Sequence, residues 1–184
     1  MSFAIDHIAK QERSSYLEYY DDELTGLANQ KLFLERVAQH RGIANSANHK
    51  IALHLIDIDG FKNINDSLGK EAGDALLQQM AKWLIDGTGS ADVLARVNAD
   101  QFAVVQPVVR HEGDVARLIK KSMDDLQKYT FHLDDTEFRI SARVGVALLP
   151  DDATPADDLW KKAELALKKA KARGDRYLFF TPRK

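Results

Sequence analysis

The residues best suited to chemistry lie in the stretch 51–74, IALHLIDIDGFKNINDSLGKEAGD. Asp57 and Asp59 stand two apart at the end of an apolar run, so on a strand both carboxylates point to one face. At the carboxyl end of a strand, where open α/β sheets bind ligands, such a pair suits a hard divalent cation. Gly60 lets the chain turn tightly, and the N–H groups that follow can cradle phosphate oxygens while Lys62 supplies positive charge. Asn65 and Asp66 mark a second turn, and Asp74 sits early in the helix that follows. Taken singly, each feature has a plainer reading. A D-x-D after an apolar strand is turn chemistry more often than a metal site. His54 reads as a core or sheet-face histidine, with no other His or Cys at ligand spacing, and Asp74 can simply complement a helix dipole.

These groups need elements to position them. The run 51–58 is apolar except for His54 and Asp57, the pattern of a strand buried on both faces. Asn29 is an N-cap for a helix over 31–41 whose Leu32, Phe33, Val37 and Ala38 can face the core, and 45–50 is a polar loop. Ala72, Leu76, Leu77, Met80 and Leu84 predict a helix over 71–85, followed by a Gly-rich loop at 86–92. The runs 93–96 and 102–107 form a hairpin with its turn at 97–101. Val115, Leu118, Ile119, Met123 and Leu126 predict a helix over 112–128, and 130–133 and 137–149 read as strands. Thr154-Pro155 opens a last helix that Gly174 closes, with Leu159, Ala163, Ala166, Leu167 and Ala170 as its buried stripe. A final strand and linker occupy 176–182, and 1–21 reads as a solvated linker helix or a terminal helix docked on its own domain.

With 184 residues, 45% hydrophobic and 29% charged, the chain can bury one full core, and one domain is expected. A net charge of -2 argues against a polyanion-binding surface, so no nucleic acid is expected as partner. Without cysteine there is neither disulfide nor thiolate metal site, which fits a reducing cytoplasm. No apolar run approaches the ~20 residues that cross a bilayer. The expectation is a soluble cytoplasmic segment, open to membrane tethering through the rest of a longer protein.

The ordered combination of Asp57-x-Asp59-x-Phe61-Lys62, Asn65-Asp66 and Gly73-Asp74 resembles the GGDEF family, the diguanylate cyclases and their inactive relatives. The segment Asp22-Glu23-Leu24-Thr25-Gly26-Leu27-Ala28-Asn29 is similar to the family's D-x-L-T-G-L-x-N opening motif, here mainly structural. Val144-Gly145-Val146-Ala147, read as core together with Ser141, and the helix carrying Ala170-Lys171 and Gly174 match as well, so the resemblance covers 22–182. It implies an α/β domain: a central, mostly antiparallel sheet of about five strands flanked by helices, related to the nucleotidyl cyclase and polymerase palm folds.

The resemblance also implies site roles. Asp57, the Ile58 carbonyl and Asp100 would hold Mg²⁺, while Phe61, Lys62, Asn65, Asp74 and Lys171 would contact GTP, with Asn65 and Asp74 on the guanine. The signature Gly-Gly-Asp/Glu-Glu-Phe falls at Asn98-Ala99-Asp100-Gln101-Phe102, so the catalytic pair is Asp100 and a degenerate Gln101. A neutral amide is a poor Mg²⁺ ligand and cannot act as a base, and Ala99 brings a Cβ that resists positive φ. Asp175 replaces the arginine expected after Gly174, and Gly89 stands where the R-x-x-D product site has its arginine, with Asp92 as its aspartate. An intact member makes cyclic di-GMP from two GTP across two facing domains, so a homodimer is implied. For this chain the resemblance implies a degenerate regulatory domain beside an EAL or sensor domain, one that either binds GTP or has lost even that. The alternatives are a weakly active diguanylate cyclase and a protein-docking module that binds no nucleotide.

Overall fold

The computed structural model describes residues 21–153 and 155–181. The expected linker helix, the Thr154 cap and Pro182 lie outside these residues, except for Asp21, which bridges to Ala28 as extended chain. The elements follow in order as α1 (Gln30–Ala47), β1 (Lys50–Ile58), α2 (Phe61–Leu68), α3 (Lys70–Thr88), β2 (Leu94–Asn98) and β3 (Gln101–Val109). They continue as α4 (Glu112–Lys128), β4 (Phe131–Leu133), β5 (Thr136–Phe138), β6 (Ala142–Leu149), α5 (Ala156–Arg173) and β7 (Tyr177–Phe179).

Five strands form one sheet in the order β2-β3-β1-β6-β7, antiparallel except where β7 returns parallel to β6 after α5. Being central, β1 is covered on both faces, which is why its sequence does not alternate. On one face Ile51, Leu53 and Leu55 pack against Phe33 and Val37 of α1 and Leu159, Ala163 and Leu167 of α5. On the other, Ala52, Val146 and Leu148 meet Val115, Ile119 and Met123 of α4. Leu76, Leu77 and Met80 of α3 pack with Ile58, Phe102 and Phe131 around the end of the sheet that carries the acidic residues. Helix α5 lies so close to β6 that a Cβ on Gly145 would fall 2.4 Å from the Leu167 nitrogen, which explains the glycine in that strand.

Several expected boundaries are corrected. Residues 45–47 are the last turn of α1, closed by Asn48 in the left-handed region at φ 58, because Asn45 and Ser46 lie outward while Ala44 stays buried. Ala38 is exposed, outside the core stripe. Asn65-Asp66 is not a turn: these residues sit inside α2, a short helix bracketed by Gly60 and Gly69. Helix α3 runs through Asp86 and Gly87 and stops at Gly89, at φ 79. The β2 and β3 strands extend to Asn98 and Gln101, which leaves only Ala99-Asp100 as the turn. The 137–149 run is broken, with β5 pairing only with β4 in a separate hairpin, and Leu118 is 45% exposed although it falls on the apolar spacing of α4.

Candidate functional site

The carboxyl end of β1, the tip of the β2–β3 hairpin and the C-terminus of α5 converge. Asp57, only 5% exposed, stands opposite Gln101 on β3 and Arg143 on β6. Gln101 Nε2 donates to Asp57 Oδ1 at 3.2 Å, and Gln101 Oε1 accepts from Asn98 Nδ2 at 3.0 Å. The Lys171 ammonium pairs with the other carboxylate oxygen of Asp57. Asp59 accepts from Ser141 Oγ at 2.7 Å and from Arg143 Nε at 3.2 Å. Arg143 Nη1 also donates to the Ala170 and Lys171 carbonyls, both at 3.4 Å, where a cation complements the negative end of the helix and fixes the turn that carries Lys171.

Asp100 is half-buried, and its carbonyl accepts from the Ile58 N–H at 3.2 Å, so Asp100 and the Ile58 backbone adjoin Asp57. Among the described residues no group of three or more His, Asp or Glu is arranged to hold a metal. Two carboxylates and a carbonyl would suit a Mg²⁺ arriving with phosphate oxygens and not one caged by protein alone, and both oxygens of Asp57 are already engaged by Gln101 and Lys171. Just past α5, Asp175 is paired with Arg173 at 3.2 Å, which partly offsets the negative charge at the expected arginine position.

A second group of residues gathers where α2 meets α3. Gly60, at φ 70, leads into α2, whose Phe61 is buried and whose Lys62 is exposed. A Cβ on Gly73 would lie 1.8 Å from Asn65 Oδ1 and 3.3 Å from Phe61 Cζ, so glycine leaves the room in which the Asn65 side chain sits against α3. Asn65 Oδ1 is buried without a hydrogen-bond partner, a condition native interiors rarely leave unanswered. Half-buried Asp74 follows directly on α3.

The hairpin is braced from the other side by the opening motif. Arg96 donates to the Ala99 carbonyl through Nε at 3.3 Å and Nη2 at 3.0 Å, and through Nη1 to Asp22 Oδ1 at 2.9 Å. Asp22 also accepts from the Thr25 N–H at 3.0 Å and hydroxyl at 2.6 Å. Ala99 is not strained: among the described non-glycine residues only Asn48 and Asp134 have positive φ, which corrects the expectation for that turn. Asp92 is exposed, and the arginine near it comes from α1, with Arg36 Nη2 4.0 Å from Asp92 Oδ1.

His54, on the other face of β1, is buried beside Gln106 Oε1 at 3.2 Å, and burial pushes its imidazole down to about 4. It is the sheet-face histidine that its surroundings in the sequence suggest. Sequence reasoning missed Ser141 and Arg143 as parts of the site and grouped Ser141 with the core. The available signal was polarity at 141 and 143, alternating with buried Ala142 and Val144.

An acidic strand end facing a hairpin across this sheet order defines a mixed α/β domain with a central, mostly antiparallel sheet flanked by helices. The chain belongs to the GGDEF family: residues 19–176 match the family described as diguanylate cyclase, GGDEF domain. It is 35% identical over 154 residues to the cyclic di-GMP phosphodiesterase NbdA of Pseudomonas aeruginosa, covering 83% of this chain and 19% of that protein. It is 34% identical to the probable diguanylate cyclase DgcE of Escherichia coli, covering 79% of this chain and 13% of that protein. The GGDEF domain structure of TpbB from Pseudomonas aeruginosa superposes with a TM-score of 0.80 at 27% identity, covering 88% of this chain and 95% of that one. A sensory box/GGDEF protein of Caulobacter crescentus gives 0.77 at 33% identity, over 84% and 99% of the two chains. The chain thus spans less than a quarter of the length of the two curated relatives named. Among the described residues no helix is long and apolar enough to cross a membrane.

Proposed function

We propose that this chain is a GGDEF domain of cyclic di-GMP signalling that is catalytically silent, holds a guanine nucleotide and regulates an attached output domain. The carrying observation is Gln101: an amide occupies a signature position that the family fills with a carboxylate, and it is hydrogen-bonded to Asp57. It can neither take up the proton of an attacking hydroxyl nor add charge to a cation site. Mg²⁺, when it arrives with the triphosphate, supplies charge neutralisation at the phosphates, and Asp57, the Ile58 carbonyl and Asp100 are the groups that would receive it. Guanine preference is supported by the orphaned Asn65 Oδ1, an acceptor for a base N–H, and by Asp74, whose carboxylate can accept from N1–H and N2–H. An attached sensor or EAL domain, on the cytoplasmic side, is supported by the length of the relatives, among them a bifunctional diguanylate cyclase/phosphodiesterase, MucR, of which this chain covers 23%.

Incubation of the purified domain with GTP and Mg²⁺, followed by chromatography, is expected to yield no cyclic di-GMP. Steady product formation abolished by Asp57→Ala would overturn the reading and establish a weak cyclase, a second reading that the retained Asp57 and Asp100 support. Conversely, Gln101→Glu with Asn98→Gly and Ala99→Gly is expected to gain activity that rises with protein concentration, since reaction needs two facing domains, and Asp175→Arg should raise it further. Docking without nucleotide is supported by the outer face of α1, where Ile43 is 61% exposed beside Gly42 and Ala47. Calorimetric titration showing no GTP binding, with or without Mg²⁺, would favour it.

A further inference from the structure

We infer that Lys171 and Gln101 together form an internal counter-ion for Asp57, so that in the absence of nucleotide this end of the site is complete without a divalent cation and takes up no free one while both partners are in place. A carboxylate this buried must be paired. Here each of its oxygens has its own partner, the Gln101 amide on Oδ1 and the Lys171 ammonium on Oδ2.

Neither partner is free to wander. Gln101 Oε1 accepts from Asn98 Nδ2 at 3.0 Å, which orients the amide with its nitrogen toward Asp57. Lys171 stands on the last turn of α5, whose carbonyls are held by Arg143 and by the Gly174 N–H. Its side chain is 51% exposed, so the stem runs along the surface while the ammonium reaches the carboxylate. Two departures from the family signature thereby acquire one explanation. Asn98 orients Gln101, Gln101 donates to Asp57, and Lys171 supplies the charge. A glutamate at 101 would instead place a second carboxylate about 3.2 Å from the first, an arrangement that needs a shared proton or more positive charge than Lys171 alone supplies.

The inference deepens the reading of a silent site and rests on it, but its test uses metal alone. Thermal unfolding of the whole chain is followed while MgCl₂ or MnCl₂ is titrated at constant ionic strength, with no nucleotide present. The Tm of the unaltered chain is expected not to move. Lys171→Met is expected to lower Tm and to recover it saturably with either cation, by roughly 3 °C at ten times Kd. Gln101→Glu, which keeps Lys171, should respond in the same direction and serves if Lys171→Met does not fold. The double variant Lys171→Met/Asp57→Asn should lose the response. A saturable rise in Tm for the unaltered chain, or no cation response in either single variant, would overturn the inference. Failure of GTP to bind in calorimetry would bear on the nucleotide reading alone.

Discussion

The two halves of the site have diverged in opposite senses. Where α2 crosses α3, the residues that would read a base are all present, and one of them, Asn65, holds a buried acceptor with nothing to accept. At the hairpin tip Asn98, Gln101, Asp57 and Lys171 pair with one another, and Asp59, Ser141 and Arg143 do the same beside them. An unsatisfied buried group is a cost that a ligand can relieve, whereas a closed network has to be opened before anything enters. Under the proposed function, recognition and reaction would part within one GGDEF domain: the α2–α3 crossing would keep a reason to bind guanine while the hairpin tip would lack the means to use it.

The largest expected effect tests the recognition half. Asp74→Ala should reduce the preference for GTP over ATP by about ten- to a hundred-fold, as two donors on the base lose a charged acceptor. Calorimetry with both nucleotides measures this, and equal affinities in the unaltered chain would break the comparison at its stronger side. Gly73→Ala follows. Its Cβ would enter the space of Asn65 Oδ1, so the Asn65 side chain must swing aside, with loss of the guanine preference and little change in denaturant unfolding. The pairs around Asp57 should be unaffected, so the cation response of Lys171→Met should survive in the double variant. If Gly73→Ala abolished that response too, the halves would not be independent.

Acid gives a smaller effect that belongs to neither half. His54 titrates near 6.5 when unfolded and at about 4 when buried beside Gln106, so below 6.5 the unfolded chain binds the extra proton first. Stability contributed by the neutral ring is therefore whole above 6.5 and lost as pH falls toward 4, by about 2 kcal/mol at pH 5. Urea unfolding from pH 7 to 5 should show this slope, and His54→Phe should flatten it. A slope that persists in that variant would assign the acid response to the site carboxylates instead.

The scaffold was largely legible, and for physical reasons. The apolar run that became β1 admits few other readings, and α4 begins and ends where its apolar spacing does. Asn65-Asp66 misled because turn-forming side chains also sit in a short helix when glycines at both ends provide the bends. In the site, the residue types were readable but not their pairings. That Gln101 stands across from Asp57, and Arg143 on its other side, follows from strand register, which depends on the whole sheet. Likewise Lys171 could be assigned to phosphate by resemblance, but its contact with Asp57 depends on how far α5 sinks onto Gly145.

The smallest expected effect lies at the surface beside β2. By resemblance Asp92 would stand at the aspartate position of a product site with Gly89 at its arginine position, and the neighbouring Arg36 approaches from α1 with its guanidinium 4.0 Å from the carboxylate. A guanidinium grips a guanine or a phosphate through a planar fork of donors, and this one is already directed at Asp92, donating to its carbonyl at 3.5 Å. The Asp92 side chain is 84% exposed, so the pair is screened by solvent and adds little. Asp92→Ala should therefore change stability by less than about 0.5 kcal/mol. Cyclic di-GMP titrated into the unaltered domain should give no saturable heat from this surface. Micromolar binding that disappears in Asp92→Ala would show that Arg36 replaces the missing arginine from another helix. The domain would then keep a ligand site outside both halves, and the contrast between an open and a closed half would no longer describe all of its binding.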